Sequence, residues 1–195
     1  MAQANNKKTK FDASQLLLQL KNKPIVLVGM MGAGKTSLGR RLALILGRKF
    51  IDSDVEIEHA AGMNISDFFK THGESDFRKG EAKVIARILS EKNTIIGTGG
   101  GAFMNDETRA LIKSKALSIW ISADFEILFE RISRRPTRPL MQTDNPRQTL
   151  KNLIEQRYPT YEKADIKITS ADVPHEVVIE QILVAVKNYF EDLET

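Results

Sequence analysis

Apolar positions along the chain follow two alternating rhythms. Short β-branched runs at Ile25–Val28, Lys49–Ile51, Thr94–Gly97, Leu117–Ile121 and Ile166–Thr169 predict strands. Between them, apolar residues recur every three or four positions. That spacing predicts helices over Lys35–Leu46, Asp54–Ala61, Ile65–Thr71, Glu74–Ser90, Asp106–Lys113, Phe125–Ile132, Arg147–Glu162 and His175–Glu191. Strands that alternate with helices in this way predict a parallel α/β domain. Ahead of the first strand, Met1–Lys10 is polar and basic, and Asp12–Leu20 has the pattern of a short amphipathic helix. Residues 1–22 therefore read as a flexible basic tail and short helix, and residues 23–195 as one domain without internal repeats.

Glycine and proline divide the chain unevenly. All 12 glycines fall between Gly29 and Gly101, whereas Pro136, Pro139, Pro146 and Pro159 punctuate a later region. Thr137–Pro146 is thereby predicted as a loop of ten residues, and loops of that length are often lids or binding loops. A mobile flap over about residues 131–146 is expected, not a second domain.

Composition narrows the setting. A chain of 195 residues, 42% hydrophobic, can bury an adequate core and has neither a disordered nor a membrane composition. Its apolar runs, such as Ile25–Val28, are far too short to span a bilayer. The absence of cysteine excludes disulfide stapling and thiol catalysis and suits a reducing compartment. Met1–Lys10 lacks the apolar core of a secretory signal and the arginines of a transit peptide, so a cytoplasmic protein is expected. The net charge of +4 is modest, but Arg131, Arg134, Arg135, Arg138 and Arg147 crowd one stretch. Such a cluster can hold nucleic acid or a polyphosphate, and composition does not choose between them.

The motif Gly29-Met30-Met31-Gly32-Ala33-Gly34-Lys35-Thr36 chooses polyphosphate. G-x-x-x-x-G-K-[ST] is specific when an apolar strand precedes it and a helix follows, and both flanks are predicted here. The glycines let backbone N–H groups converge on phosphate oxygens, and the helix N-terminus adds partial positive charge. Lys35 is expected on the terminal phosphates of ATP and the Thr36 hydroxyl on Mg²⁺. No D-x-x-G or N-K-x-D follows, which excludes a guanine-nucleotide switch. Thr94–Gly97 ends in Thr98-Gly99-Gly100-Gly101, and Leu117–Ile121 also lacks the acidic pair of a motor-type ATPase. A small-metabolite or nucleotide kinase remains, in which a lid excludes water and supplies arginines.

Three further clusters stand where strands and helices meet. Asp52-Ser53-Asp54 ends the second strand, where open α/β sheets bind ligands. One carboxylate can orient Mg²⁺ beside Thr36 while the other takes the proton of an acceptor hydroxyl. The competing reading is a helix cap, and Asp54 could be both. Arg78 and Glu81 share a helix face, either as a surface salt bridge or with Arg78 gripping an anionic substrate group. Gly99-Gly100-Gly101 suits a backbone that must approach a ligand. Among the lid arginines, Arg134 and Arg135 read as a solvated basic loop. His59, His72 and His175 lack metal-ligand spacing and read as structural, and Trp120 reads as core.

In order along the chain, these motifs resemble the shikimate kinase family. The matching elements are Gly29–Thr36, Asp52–Asp54, Gly73-Glu74 with Phe77-Arg78 and Glu81, Thr98–Ala102, Arg138-Pro139-Leu140, and Arg157 before Tyr158-Pro159-Thr160-Tyr161. They span roughly residues 24–190, and the ordered set is far more specific than any one of them. Met141 departs slightly, where the family often has leucine. The resemblance implies a nucleoside-monophosphate-kinase-like sheet of five parallel strands ordered 2-3-1-4-5. It also implies transfer of the ATP γ-phosphate to the 3-hydroxyl of shikimate, on the route to aromatic amino acids.

By the same resemblance, Lys35, Asp54 and Arg138 are the catalytic set, with Asp54 binding the acceptor hydroxyl. Gly32, Ala33, Gly34, Lys35, Thr36, Ser37, Arg131, Arg138 and Pro174 are expected on the nucleotide, Arg131 and Pro174 beside adenine. Arg78, Arg157 and the Gly99–Gly101 backbone are expected around shikimate, and Thr36 and Asp52 at the Mg²⁺. A monomer is expected, with no nucleic-acid or membrane partner. Another metabolite kinase of this fold, such as a gluconate kinase, is the enzyme alternative. A nucleic-acid-dependent ATP switch is the alternative from another class, although no aromatic–basic interleaving supports it.

Overall fold

The computed structural model describes residues 13–134, 141 and 143–193. All five expected strands are present: β1 (Ile25–Val28), β2 (Lys49–Asp52), β3 (Thr94–Gly97), β4 (Leu117–Ser122) and β5 (Ile166–Thr169). They form one parallel sheet in the order β2-β3-β1-β4-β5, as the resemblance implies. β1, β3 and β4 are buried at every position, so both faces of the sheet centre are covered, as a parallel sheet requires. β5, on one edge, alternates buried and exposed residues.

The helices are α1 (Ala13–Leu20), α2 (Lys35–Ile45), α3 (Ser53–Ala61), α4 (Ile65–Ile88), α5 (Asp106–Lys115), α6 (Phe125–Ser133), α7 (Pro146–Tyr161) and α8 (His175–Leu193). Two expected helices, Ile65–Thr71 and Glu74–Ser90, run together as α4, interrupted where Gly73 takes φ 78° and ψ 173°. The start of α7 follows from its own residues. The Asn145 side chain accepts from Gln148 N–H at 3.1 Å, and Pro146 occupies a first-turn position that needs no N–H. A 3₁₀ turn at Ala102–Met104 was not anticipated; the preceding glycines conceal any local preference. No helix among the described residues is long and apolar enough to cross a membrane.

Register brings three loops to one end of the sheet. Leu27 and Asp52 both pair with Gly97, so β1, β2 and β3 release their chains at the same level. Thr98 binds that junction, donating from its N–H at 3.2 Å and its hydroxyl at 3.0 Å to the Leu27 carbonyl. The loops that leave there carry Gly29–Gly34, Asp52–Asp54 and Gly99–Gly101.

Candidate active site

Gly34 caps α2 at φ 94°, ψ 11°, a left-handed conformation that an L side chain rarely adopts. No side chain caps this end, so the first-turn N–H groups are left to an anion. Lys35 is nearly buried, and its Nζ donates to the carbonyls of Gly29 at 2.7 Å and Met30 at 2.8 Å. The Thr36 hydroxyl donates to Asp52 Oδ2 at 2.9 Å.

Asp52, not Asp54, caps α3: its Oδ1 accepts from Asp54 N–H at 3.1 Å. The capping role left open for Asp54 is therefore filled by its neighbour. Between the two acids, the buried Ser53 hydroxyl accepts from Gly99 N–H at 3.1 Å and ties α3 to the glycine segment.

The glycine triplet is needed for space. None of the three takes a positive φ. A Cβ on Gly99 would lie 2.7 Å from Asp54 Oδ1 and 3.0 Å from Glu81 Oε1. One on Gly100 would lie 3.5 Å from Arg157 Nη1, and one on Gly101 would overlap the Arg78 guanidinium. The triplet is thus a bare backbone wall around which two acids and two arginines gather.

Arg78 and Glu81 do not form the surface salt bridge considered above. The Glu81 side chain is 4% exposed and accepts from Arg78 Nη1 at 2.7 Å. Arg78 Nη2 donates to Glu74 at 2.9 Å, and its guanidinium lies 5.2 Å from the Phe77 ring centre. Burial pushes the Glu81 carboxyl above the usual carboxylate range, an effect that Arg78 partly offsets. Burial would lower the Arg78 pKa, but Glu81 and Glu74 outweigh it and the guanidinium stays charged. Glu81 Oε1 has no hydrogen-bond partner although it is buried beside Gly99. On α7, Arg157 is 8% exposed and donates to the Gly100 carbonyl at 3.2 Å.

A cavity of about 320 Å³ joins most of these groups. Its walls include Gly32, Gly34, Lys35, Thr36 and Ser37 on one side and Asp52, Asp54, Gly99 and Gly100 on the other. Ala33 is fully buried behind the loop. Arg78, Gly101 and Arg157 adjoin the glycine end without forming that cavity's walls. Arg131, Arg134 and His175 close another part of it. Arg131 links the phosphate loop to the segment after β5, donating to Ser170 Oγ at 3.3 Å and Gly32 O at 3.5 Å. Pro174 is exposed just ahead of α8, while the adjacent His175 lines the cavity. Arg138, with the rest of residues 135–140 and residue 142 of the expected flap, lies outside the described residues.

Two residues depart from the sequence expectation, and a third, Arg134, keeps its expected exposure while lining the cavity. His175, read as structural, and Arg134, read as a solvated loop residue, both line the cavity. Arg134 does meet solvent and pairs with Glu130 at 2.5 Å. Glu81 is a buried member of the site. Local spacing does not mark His175 or Arg134 and pairs Glu81 with Arg78 without showing its burial, because only distant elements create the cavity. Trp120 is fully buried, as expected.

Comparison with known proteins follows the same geometry. The family model described as shikimate kinase matches residues 31–187. A shikimate kinase of Rhodopseudomonas palustris is 49% identical over 176 residues, covering 90% of this chain and 87% of that protein. The structure of a shikimate kinase from Acinetobacter baumannii in complex with shikimate superposes with a TM-score of 0.85 at 35% identity, covering 89% of this chain and 97% of that one. A gluconokinase from Sinorhizobium meliloti, with a TM-score of 0.62 at 18% identity over 89% of this chain and 96% of its own, shares the fold alone. A phosphate loop facing an aspartate and a glycine wall, carried on a chain matched along most of its length, leaves one assignment: the chain belongs to the shikimate kinase family.

Proposed function

We propose that this protein transfers the γ-phosphate of ATP to the 3-hydroxyl of shikimate, giving shikimate 3-phosphate and ADP. The observation that carries this reading is the pairing of Asp54 with the glycine wall and its two arginines, Arg157 buried and Arg78 half-buried, opposite the phosphate loop. An acceptor phosphate is already anionic and would be repelled by Asp54. A hydroxyl needs a proton acceptor, and a carboxylate suits planar guanidinium forks. The relative solved with shikimate supports the same acceptor.

In this reading the amides of Gly32–Ser37 and Lys35 hold the β- and γ-phosphates. Arg78 and Arg157 hold the shikimate carboxylate and set the ring so that its 3-hydroxyl faces Asp54. Asp54 takes the hydroxyl proton as the acceptor oxygen bonds to the γ-phosphorus and the bond to the bridging oxygen breaks. ADP leaves. Arg131 and His175 flank the nucleoside.

Thr36 and Asp52 fit a magnesium ion: a hydroxyl and a carboxylate oxygen lie 2.9 Å apart on the cavity wall at the start of α2. No group of three or more acidic, histidine or cysteine ligands stands among the described residues, which matches a cation held mainly by water and substrate phosphates. When bound there, Mg²⁺ would neutralise charge on the phosphate oxygens. The proposal includes a monomeric enzyme acting in the cytoplasm, with residues 23–195 as one catalytic domain.

ADP release measured with shikimate, gluconate, AMP and CMP tests the assignment. Selective turnover of shikimate is the expected result. Preference for gluconate or a nucleotide would overturn it.

A further inference from the structure

The Gly100 carbonyl, in the middle of the glycine wall, receives two donors. One is Arg157 Nη1 at 3.2 Å, and the other is the Tyr161 hydroxyl. Both side chains come from α7, four residues apart on one face. Tyr161 is 1% exposed, and its ring is held from outside its own helix. It stacks on Trp120 of β4 at 5.8 Å and 25°, and on Phe103 of the 3₁₀ turn at 6.4 Å and 17°. The hydroxyl is therefore fixed by the sheet and by the turn that follows the glycines.

A carbonyl oxygen has two lone-pair directions, and here each has a donor. Glycine backbone is otherwise the most permissive in the chain. Remove one donor and the Gly100 peptide can tilt, taking with it the wall beside Asp54 and the anchor of Arg157. We infer that Tyr161 is a positioning residue for the acceptor, its hydroxyl holding the Gly100 carbonyl so that both the glycine wall and the Arg157 guanidinium keep their places. Burial pushes the Tyr161 phenol far above its ordinary range, so it remains a donor at any working pH.

The inference rests on the reading of this wall as the shikimate pocket, and the test separates the two. Wild-type turnover of shikimate examines that reading by itself. Tyr161→Phe then removes one oxygen and keeps the ring. The loss of one hydrogen bond at the pocket is expected to raise the shikimate KM roughly three- to tenfold, with the ATP KM unchanged. Tyr158→Phe is the control: Tyr158 also donates a half-buried hydroxyl, at 2.6 Å to the Ala123 carbonyl, away from the wall. It should lower Tm and leave both KM values alone. KM does not depend on the concentration of active enzyme, so it can be read even if Tyr161→Phe folds in low yield. An unchanged shikimate KM, an equal rise in both KM values, or the same rise in Tyr158→Phe would overturn the inference.

Discussion

The Thr36 hydroxyl donates to Asp52 Oδ2 at 2.9 Å, while the other oxygen of that carboxylate receives the Asp54 N–H at 3.1 Å. One side chain therefore ties the phosphate loop to Asp54, the residue proposed to face the acceptor. Asp52→Asn keeps the size but gives up the charge. The Mg²⁺ concentration for half-maximal activity should rise roughly tenfold or more, read from a magnesium titration at saturating ATP and shikimate. An unaltered titration would remove Asp52 from the cation site.

Arg78 presents a planar fork beside Gly101, braced by Glu81 and Glu74. An ammonium group cannot reproduce two parallel donors. Arg78→Lys should raise the shikimate KM at least about tenfold, the scale of one charge-assisted hydrogen bond, and far more than the ATP KM. Initial-rate kinetics with each substrate varied in turn would check this; equal changes in both would place Arg78 outside the substrate pocket.

Gly101→Ala tests the space that Arg78 occupies. Gly101 has φ −100° and ψ −14°, which alanine accepts without strain, and the nearest atoms a Cβ would meet belong to that guanidinium. That group sits at the end of a flexible side chain and can swing away. The variant should fold with a Tm close to wild type and show a shikimate KM raised about as much as in Arg78→Lys. A large loss of Tm with normal KM would mean that the glycine serves folding only.

Glu81 gives a pH signature. Its native carboxyl titrates above the usual range because it is buried, although Arg78 pulls the other way. The native state therefore holds the proton more tightly than the unfolded chain. The stability that this proton contributes is present below the ordinary glutamate value, about 4.3, and is lost as pH rises through the raised native value. Glu81→Gln cannot titrate. The wild type should lose Tm relative to Glu81→Gln as pH climbs through that window, measured by thermal melts at stepped pH. A difference independent of pH would show that Glu81 titrates normally.

The phosphate loop was legible because its information is contiguous: β1, the glycines, Lys35, Thr36 and the start of α2 follow one another without interruption. The strands were legible for a similar reason, since full burial in a parallel sheet demands short unbroken apolar runs. The order of the strands, and the partnership of Asp54 with Arg78 and Arg157, came only through likeness to a family.

The remainder depended on residues far apart in the chain. An arginine and a glutamate three positions apart look the same on an exposed helix and on a buried one. Only the packing of α4 against the glycine wall buried Glu81 and left Arg78 half-buried over it. Likewise 61 residues separate Tyr161 from the Gly100 carbonyl that it holds, and the cavity that admits His175 and Arg134 exists only once the loops close around it. The sequence by itself determined the sheet, the phosphate cradle and the residue types available for the acceptor. The tertiary structure decided which of them are buried, which carbonyls they anchor and how much room the glycines leave, because burial and close approach are sums over distant neighbours that no local spacing encodes.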